Sequence, residues 1–204
     1  MVMGKLRNFS EKAFTPAAKY LEKRGISPNT ITILGFAISV AACGAYTYRH
    51  VLLGAFFILT SGLLDVLDGA VARLVKDVTY FGATLDAVVD RYTEFFYMVG
   101  MALGGLVDWV VACFAMFSMI ASSYARARAE SSGGLKNCAV GIAERQEKIV
   151  ILVAGSLLYP FVDKALLVSA LALTLLGQIT VGQRLYYTYW YNKKNGLKPP
   201  QQHR

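Results

Sequence analysis

The chain has 204 residues, 55% of them hydrophobic, with a positive mean hydropathy and a formal net charge of +8. That composition excludes an ordinary soluble domain of this size, because the apolar residues run in blocks long enough to cross a bilayer. The positive charge lies between those blocks and not in a polar module with base-stacking aromatics, which excludes a nucleic-acid partner.

Residues 1–26 interleave Lys5, Arg7, Lys12, Lys19, Lys23 and Arg24 with Phe9, Ala13, Phe14, Ala17, Tyr20 and Leu21 at helical spacing. No apolar run leads to a cleavage site, so the segment does not read as a secretory signal. The pattern predicts an amphipathic helix along the membrane surface, its basic side toward lipid headgroups. A helical span needs about 20 apolar residues. Six blocks fit that measure, at about 29–48, 51–74, 82–107, 108–128, 147–163 and 165–190. The short connections predict an all-α integral membrane protein: one six-helix bundle over residues 27–192, then a basic cytoplasmic tail over 193–204. No internal repeat is present.

Of the 21 Lys and Arg residues, Arg49 and Lys164 alone fall on one side of this bundle. The other side holds the leader, Arg73, Lys76, Arg91, the basic residues of 126–148, and those from Arg184 to Arg204. Such an asymmetry puts both termini in the cytoplasm. Tyr186, Tyr187, Tyr189, Trp190 and Tyr191 sit where the last span meets water, as interfacial anchors do. Cys43, Cys113 and Cys138 are far apart, and with two histidines in the chain no zinc site is expected.

The stretch from Leu64 to Phe95 carries the chemistry. Asp65 and Asp68 are three apart near the end of one block; Asp86 and Asp90 are four apart near the start of the next. Each spacing puts a pair on one helix face. A cytoplasmic turn over 73–82 lets the pairs converge. Ionised carboxylates in or near a bilayer are costly and functional by default. Gathered together they repel unless cations neutralise them, and an oxygen-only set suits Mg²⁺, Mn²⁺ or Ca²⁺. Two such ions can clamp a phosphoryl group. Gly69, Ala72 and Gly82 are small where helices or a ligand would come close, and Arg73 is placed to hold a phosphate oxygen.

Read as a pattern, Asp65-x-x-Asp68-Gly69-x-x-Ala72-Arg73-x8-Gly82-x-x-x-Asp86-x-x-x-Asp90 resembles the signature of the CDP-alcohol phosphotransferase family, with every position filled. The resemblance implies six transmembrane helices behind an N-terminal surface helix, usually in a homodimer. It implies that a CDP-linked lipid loses CMP as an alcohol attacks its β-phosphorus. By carry-over, Asp65, Asp68, Asp86 and Asp90 form the metal site, with Asp86 and Asp90 catalytic and Asp90 also placed to take the alcohol proton. Asp65, Asp68, Gly69, Ala72, Arg73 and Gly82 would line the nucleotide site. Pro28-Asn29-Thr30-Ile31-Thr32 is similar to the family's N-terminal Pro-Asn-x-x-Thr element, which makes Asn29 and Thr32 nucleotide contacts; Asn29 also suits a helix cap.

The acceptor has to be read from the remaining basic residues. Ser123-Tyr124-Ala125-Arg126-Ala127-Arg128-Ala129-Glu130 ends the fourth block, Glu144-Arg145 opens the fifth, and Arg184 lies in the sixth. Ser123 and three arginines, Arg126, Arg145 and Arg184, would gather at the cytoplasmic level and suit an acceptor that itself carries phosphate. This set resembles the phosphatidylinositol phosphate and archaetidylinositol phosphate synthases, whose acceptor is inositol phosphate. Glu94 stands where Asp would be expected, and Arg126 where Lys is usual in the bacterial enzymes. Glycerol 3-phosphate is the competing acceptor, and diacyl and archaeol donor tails are not distinguished. A cation transporter is the alternative of another class, but it would place its acids near the midplane within a repeat. Residues 130–143, rich in glycine and serine, read as a flexible cytoplasmic loop, either one that closes over the acceptor site or a plain connector.

Overall fold

The computed structural model describes residues 14–75 and 79–197. Lys5 to Ala13 of the expected surface helix, Lys76, and the tail from Lys198 onward lie outside the described residues. All regular structure among the described residues is helical: α1 (14–23), α2 (Pro28–Thr47), α3 (Val51–Val75), α4 (Tyr80–Leu103), α5 (Trp109–Ser131), α6 (Arg145–Leu158) and α7 (Ala165–Asn195). The chain divides into two compact units, Met1–Gly105 and Leu106–Arg204.

In the first unit, α1 stops at a glycine turn. Gly25 takes φ +69°, its N–H donates to Glu22 O at 2.9 Å, and Ile26 N–H donates to Leu21 O at 3.1 Å. That pair of bonds closes the helix end, and a left-handed φ is where glycine costs least. Phe14, Ala18 and Leu21 of α1 pack with Ile31 of α2 and with Ala70 and Val71 of α3. The apolar stripe of α1 is therefore turned at least in part toward the protein. Ser27 caps α2, accepting from Thr30 N–H at 3.2 Å, with Pro28 in the first turn. Asn29 lies inside the helix, so it is not the cap.

Helix α2 packs against both α3 and α4. Its approach to α4 depends on Gly100: a β-carbon there would stand 2.6 Å from Cys43 O and 2.7 Å from Cys43 Cα. Backbone that near to backbone admits only glycine. At the far end Arg49, at φ 62°, donates from Nε to Gly104 O at 2.8 Å, satisfying a terminal carbonyl of α4. In the second unit α7 packs against α5 and α6. Gly177 of α7 sits directly on Ser118 of α5, and Gln178 Nε2 donates to Ser118 Oγ at 2.9 Å.

Helices α2, α3, α5 and α7 are long and apolar enough to cross a membrane. Helix α4 has the length, but carries Asp86, Asp90, Arg91 and Glu94. Helix α6 ends at Leu158, short of the expected block and just ahead of Pro160. Its 14 residues rise about 21 Å against a hydrocarbon core of about 30 Å. Helix α7 runs on to Asn195, so Lys193 and Lys194, expected to begin the basic tail, lie in its last turn.

Candidate active site

The C-terminal turns of α3 carry Asp65, Asp68, Gly69, Ala72 and Arg73; the N-terminal turns of α4 carry Gly82, Asp86 and Asp90. Thr79 caps α4, its hydroxyl accepting from Gly82 N–H at 2.9 Å. Carboxylate oxygens of Asp65, Asp68 and Asp86 all lie within 4.8 Å of one another. Asp68, only 6% exposed, accepts a 2.6 Å hydrogen bond from Thr32 Oγ1 of α2. A third helix thus orients one of the three carboxylates, at a length typical of a charge-assisted bond.

Asp90 is one turn further along α4, about 6 Å up the helix axis. Arg91 Nη2 stands 3.4 Å from Asp90 Oδ2, and Arg91 Nη1 stands 3.5 Å from Glu94 Oε2. Of the four aspartates expected to converge, three bring oxygens within 4.8 Å of one another, and Asp90, one turn on, stands beside the Arg91 guanidinium. Glu94 is buried at 5% exposure. The sequence showed it as an extension of the Asp86/Asp90 face, but not its pairing with Arg91.

The donor set of the triad fits a hard divalent cation. Three anionic oxygens this close repel strongly unless positive charge is set among them. Hard oxygen ligands select Mg²⁺, Mn²⁺ or Ca²⁺ over softer metals. Around the triad, a β-carbon on Gly69 would come 3.4 Å from Arg73 Nη1, so the guanidinium lies back along the turn that Gly69 keeps bare. At Gly82 a β-carbon would stand 3.2 Å from Asn29 Oδ1 and 3.0 Å from Thr79 Oγ1. The starts of α2 and α4 therefore meet the end of α3, bringing Asn29, Thr32, Gly69, Ala72, Arg73 and Gly82 to the end of the unit that holds the aspartates.

The second unit carries the three arginines, of which Arg126 and Arg184 lie within electrostatic range of each other. Arg184 of α7 is 4% exposed; its Nε donates to Val140 O at 2.8 Å and its Nη1 to Ser122 O. Arg126 of α5 is close enough to act electrostatically on it. Arg126 Nε donates to Glu130 Oε1 at 3.0 Å. Arg145 opens α6, and Ser123 donates to Met119 O at 3.2 Å. Lys148, buried at 3% exposure, donates to the same carbonyl at 3.3 Å.

The connection between α5 and α6 is tied down, against the expectation of a flexible segment. Cys138 N–H donates to Glu130 Oε1 at 2.9 Å, Val140 O accepts from Arg184, and Ala143 N–H donates to Thr180 Oγ1 at 3.2 Å. Leu135 and Cys138 are buried with Ala129, against Tyr187 and Tyr191. Burial raises the pKa of the Cys138 thiol above its ordinary value. Glycine content suggested mobility, but the segment's carbonyls and N–H groups are met by α5 and α7. The Arg126–Glu130 spacing of four was the one sequence signal of this arrangement.

Residues 25–176 match the CDP-alcohol phosphatidyltransferase family, and the chain belongs to it. It is 42% identical over 164 residues to the archaetidylinositol phosphate synthase of Methanothermobacter thermautotrophicus, covering 78% of this chain and 81% of that one. The crystal structure of the Mycobacterium tuberculosis phosphatidylinositol phosphate synthase with CDP-DAG bound superposes with a TM-score of 0.77 at 30% identity, over 87% of this chain and 94% of that one. The same enzyme in complex with manganese and citrate gives a TM-score of 0.76 at 31% identity, over 86% and 88%.

Proposed function

We propose that this protein transfers a phosphatidyl-type group from a CDP-linked lipid to inositol phosphate, releasing CMP. The observation that carries the reading is the triad of Asp65, Asp68 and Asp86 carboxylates within 4.8 Å, in a chain of this family. A divalent metal held by that triad, Mg²⁺ or Mn²⁺ and as a pair of ions, would supply charge stabilisation at the diphosphate. The manganese bound by the tuberculosis enzyme supports this assignment.

The remaining roles belong to the chain's own residues. Thr32 orients Asp68 through its 2.6 Å bond. Asn29, Gly69, Ala72, Arg73 and Gly82 receive the nucleotide: the glycines keep space, and Arg73 binds a phosphate oxygen. Asp90 takes the proton from the acceptor hydroxyl, since it stands outside the triad. The hydroxyl oxygen bonds to the lipid-bearing β-phosphorus, the bond from that phosphorus to the CMP oxygen breaks, and CMP departs with the electron pair. Ser123, Arg126, Arg145 and Arg184 hold the acceptor's own phosphate. The buried Arg184, within electrostatic range of Arg126, supports an anionic ligand in this unit.

The protein works as an integral membrane homodimer. Each chain has six spans, α4 and α6 completing the set, with both termini and the site at the cytoplasmic face. Helix α1 lies along the membrane surface, α2 to α7 form the membrane-embedded part, and the last turn of α7, with Lys193 and Lys194, leads into the basic cytoplasmic end. The test is CMP release by purified protein with CDP-DAG or CDP-archaeol and Mg²⁺, comparing inositol phosphate, glycerol 3-phosphate, free inositol and serine. Release with inositol phosphate alone is expected. Release with glycerol 3-phosphate instead would reassign the arginines, and silence with all four would overturn the reading.

A further inference from the structure

We propose that Glu130 is a positioning residue for the acceptor site, setting the guanidinium of Arg126 and the 132–144 segment in one arrangement before substrate arrives. This rests on the reading of the second unit's arginines as the acceptor-phosphate site.

A single carboxylate oxygen, Glu130 Oε1, accepts from two places. Arg126 Nε donates to it at 3.0 Å from the same helix, and Cys138 N–H donates to it at 2.9 Å from the connecting segment. The Arg126 bond uses Nε alone. That leaves the two terminal nitrogens, on a side chain 42% exposed, to present their planar fork to an incoming anion. An exposed arginine not held this way would lose side-chain freedom on binding phosphate; Glu130 removes part of that cost in advance.

The second bond extends the effect. Two residues after Cys138, Val140 O receives Arg184 Nε, so the segment anchored by Glu130 also braces the other arginine. Glu130 itself lies within electrostatic range of Arg184. It is thus a counter-charge to both guanidinium groups, and it leaves the end-on edge of Arg126, Nη1 with Nη2, to an acceptor phosphate.

The test uses full-length protein, with CMP release measured against inositol phosphate at saturating CDP-lipid and Mg²⁺. Glu130→Ala is expected to raise the acceptor KM about tenfold, the size of one lost charge-assisted hydrogen bond. The KM for CDP-lipid and the rate at saturating acceptor should stay within about twofold, since no group facing the donor has changed. Glu130→Gln keeps an amide oxygen for both donors and should recover most of the loss. In an Arg126→Ala background, Glu130→Ala should add little, as expected of residues acting as a unit.

A purely supporting role predicts otherwise: lower thermal stability, both KM values and the rate shifting together, and the same effect with or without Arg126. That result overturns the proposal, as does a fall in acceptor KM, which would make Glu130 a competing anion. An unchanged acceptor KM in a protein whose wild type uses inositol phosphate overturns this inference alone. A wild type that uses only unphosphorylated alcohols withdraws the acceptor reading, and this inference with it.

Discussion

Replacing Thr32 with valine removes one hydroxyl and keeps the side-chain shape, so it removes the bond to Asp68 together with the longer, 3.2 Å contact to Pro28 O. The bond is 2.6 Å long, and its two residues are 8% and 6% exposed. Water therefore cannot replace the lost donor, and the strong end of the range applies, about 1.5–3 kcal/mol for a hydrogen bond to a charged group. If that energy holds the carboxylate in its ligating orientation, the loss corresponds to about 10–100-fold in metal affinity, the usual cost of removing a ligand's outer partner. The assay is the Mn²⁺ concentration for half-maximal CMP release at saturating substrates, with Thr32→Ser as the hydroxyl-retaining control. Thr32→Val should shift that concentration upward by at least about tenfold and Thr32→Ser little. A variant with unchanged metal dependence but a raised KM for CDP-lipid would refute the orienting role and make Thr32 a nucleotide contact instead.

Asp90→Asn should cut CMP release by at least about a hundredfold, the low end for a lost general base, while circular dichroism and the metal-induced shift in Tm remain; undiminished turnover would remove Asp90 from the chemistry. Asp65→Asn should raise the Tm of EDTA-treated protein by relieving repulsion within the triad, and abolish the further rise that Mg²⁺ or Mn²⁺ gives the wild type. An identical metal response in the two proteins would show that the triad is not the metal site. Gly100→Ala should destabilise the first unit by about 1–3 kcal/mol, since its β-carbon meets the Cys43 backbone and no side chain can yield. Thermal unfolding in detergent reads this directly, and an unshifted Tm would mean that α2 and α4 pack less tightly than described.

The sequence by itself determined the class of protein and most of its chemistry, because both are written in local periodicities. Apolar blocks near bilayer length and carboxylates at spacings of three and four need no tertiary information. Family membership follows from the same residues. Tertiary structure decided what those residues touch. Spacing put Asp86 and Asp90 on one face, but the neighbour from another helix, Thr32 against Asp68, depends on how α2 and α3 meet. The glycines of 132–144 read as slack because nothing local predicts that α7 will offer Arg184 and Thr180 to that segment's carbonyl and N–H. Likewise Phe14 and Leu21 carry the same hydrophobic spacing whether lipid or α3 covers them. Periodicity reports that a face must be covered; only the packed helices show by what.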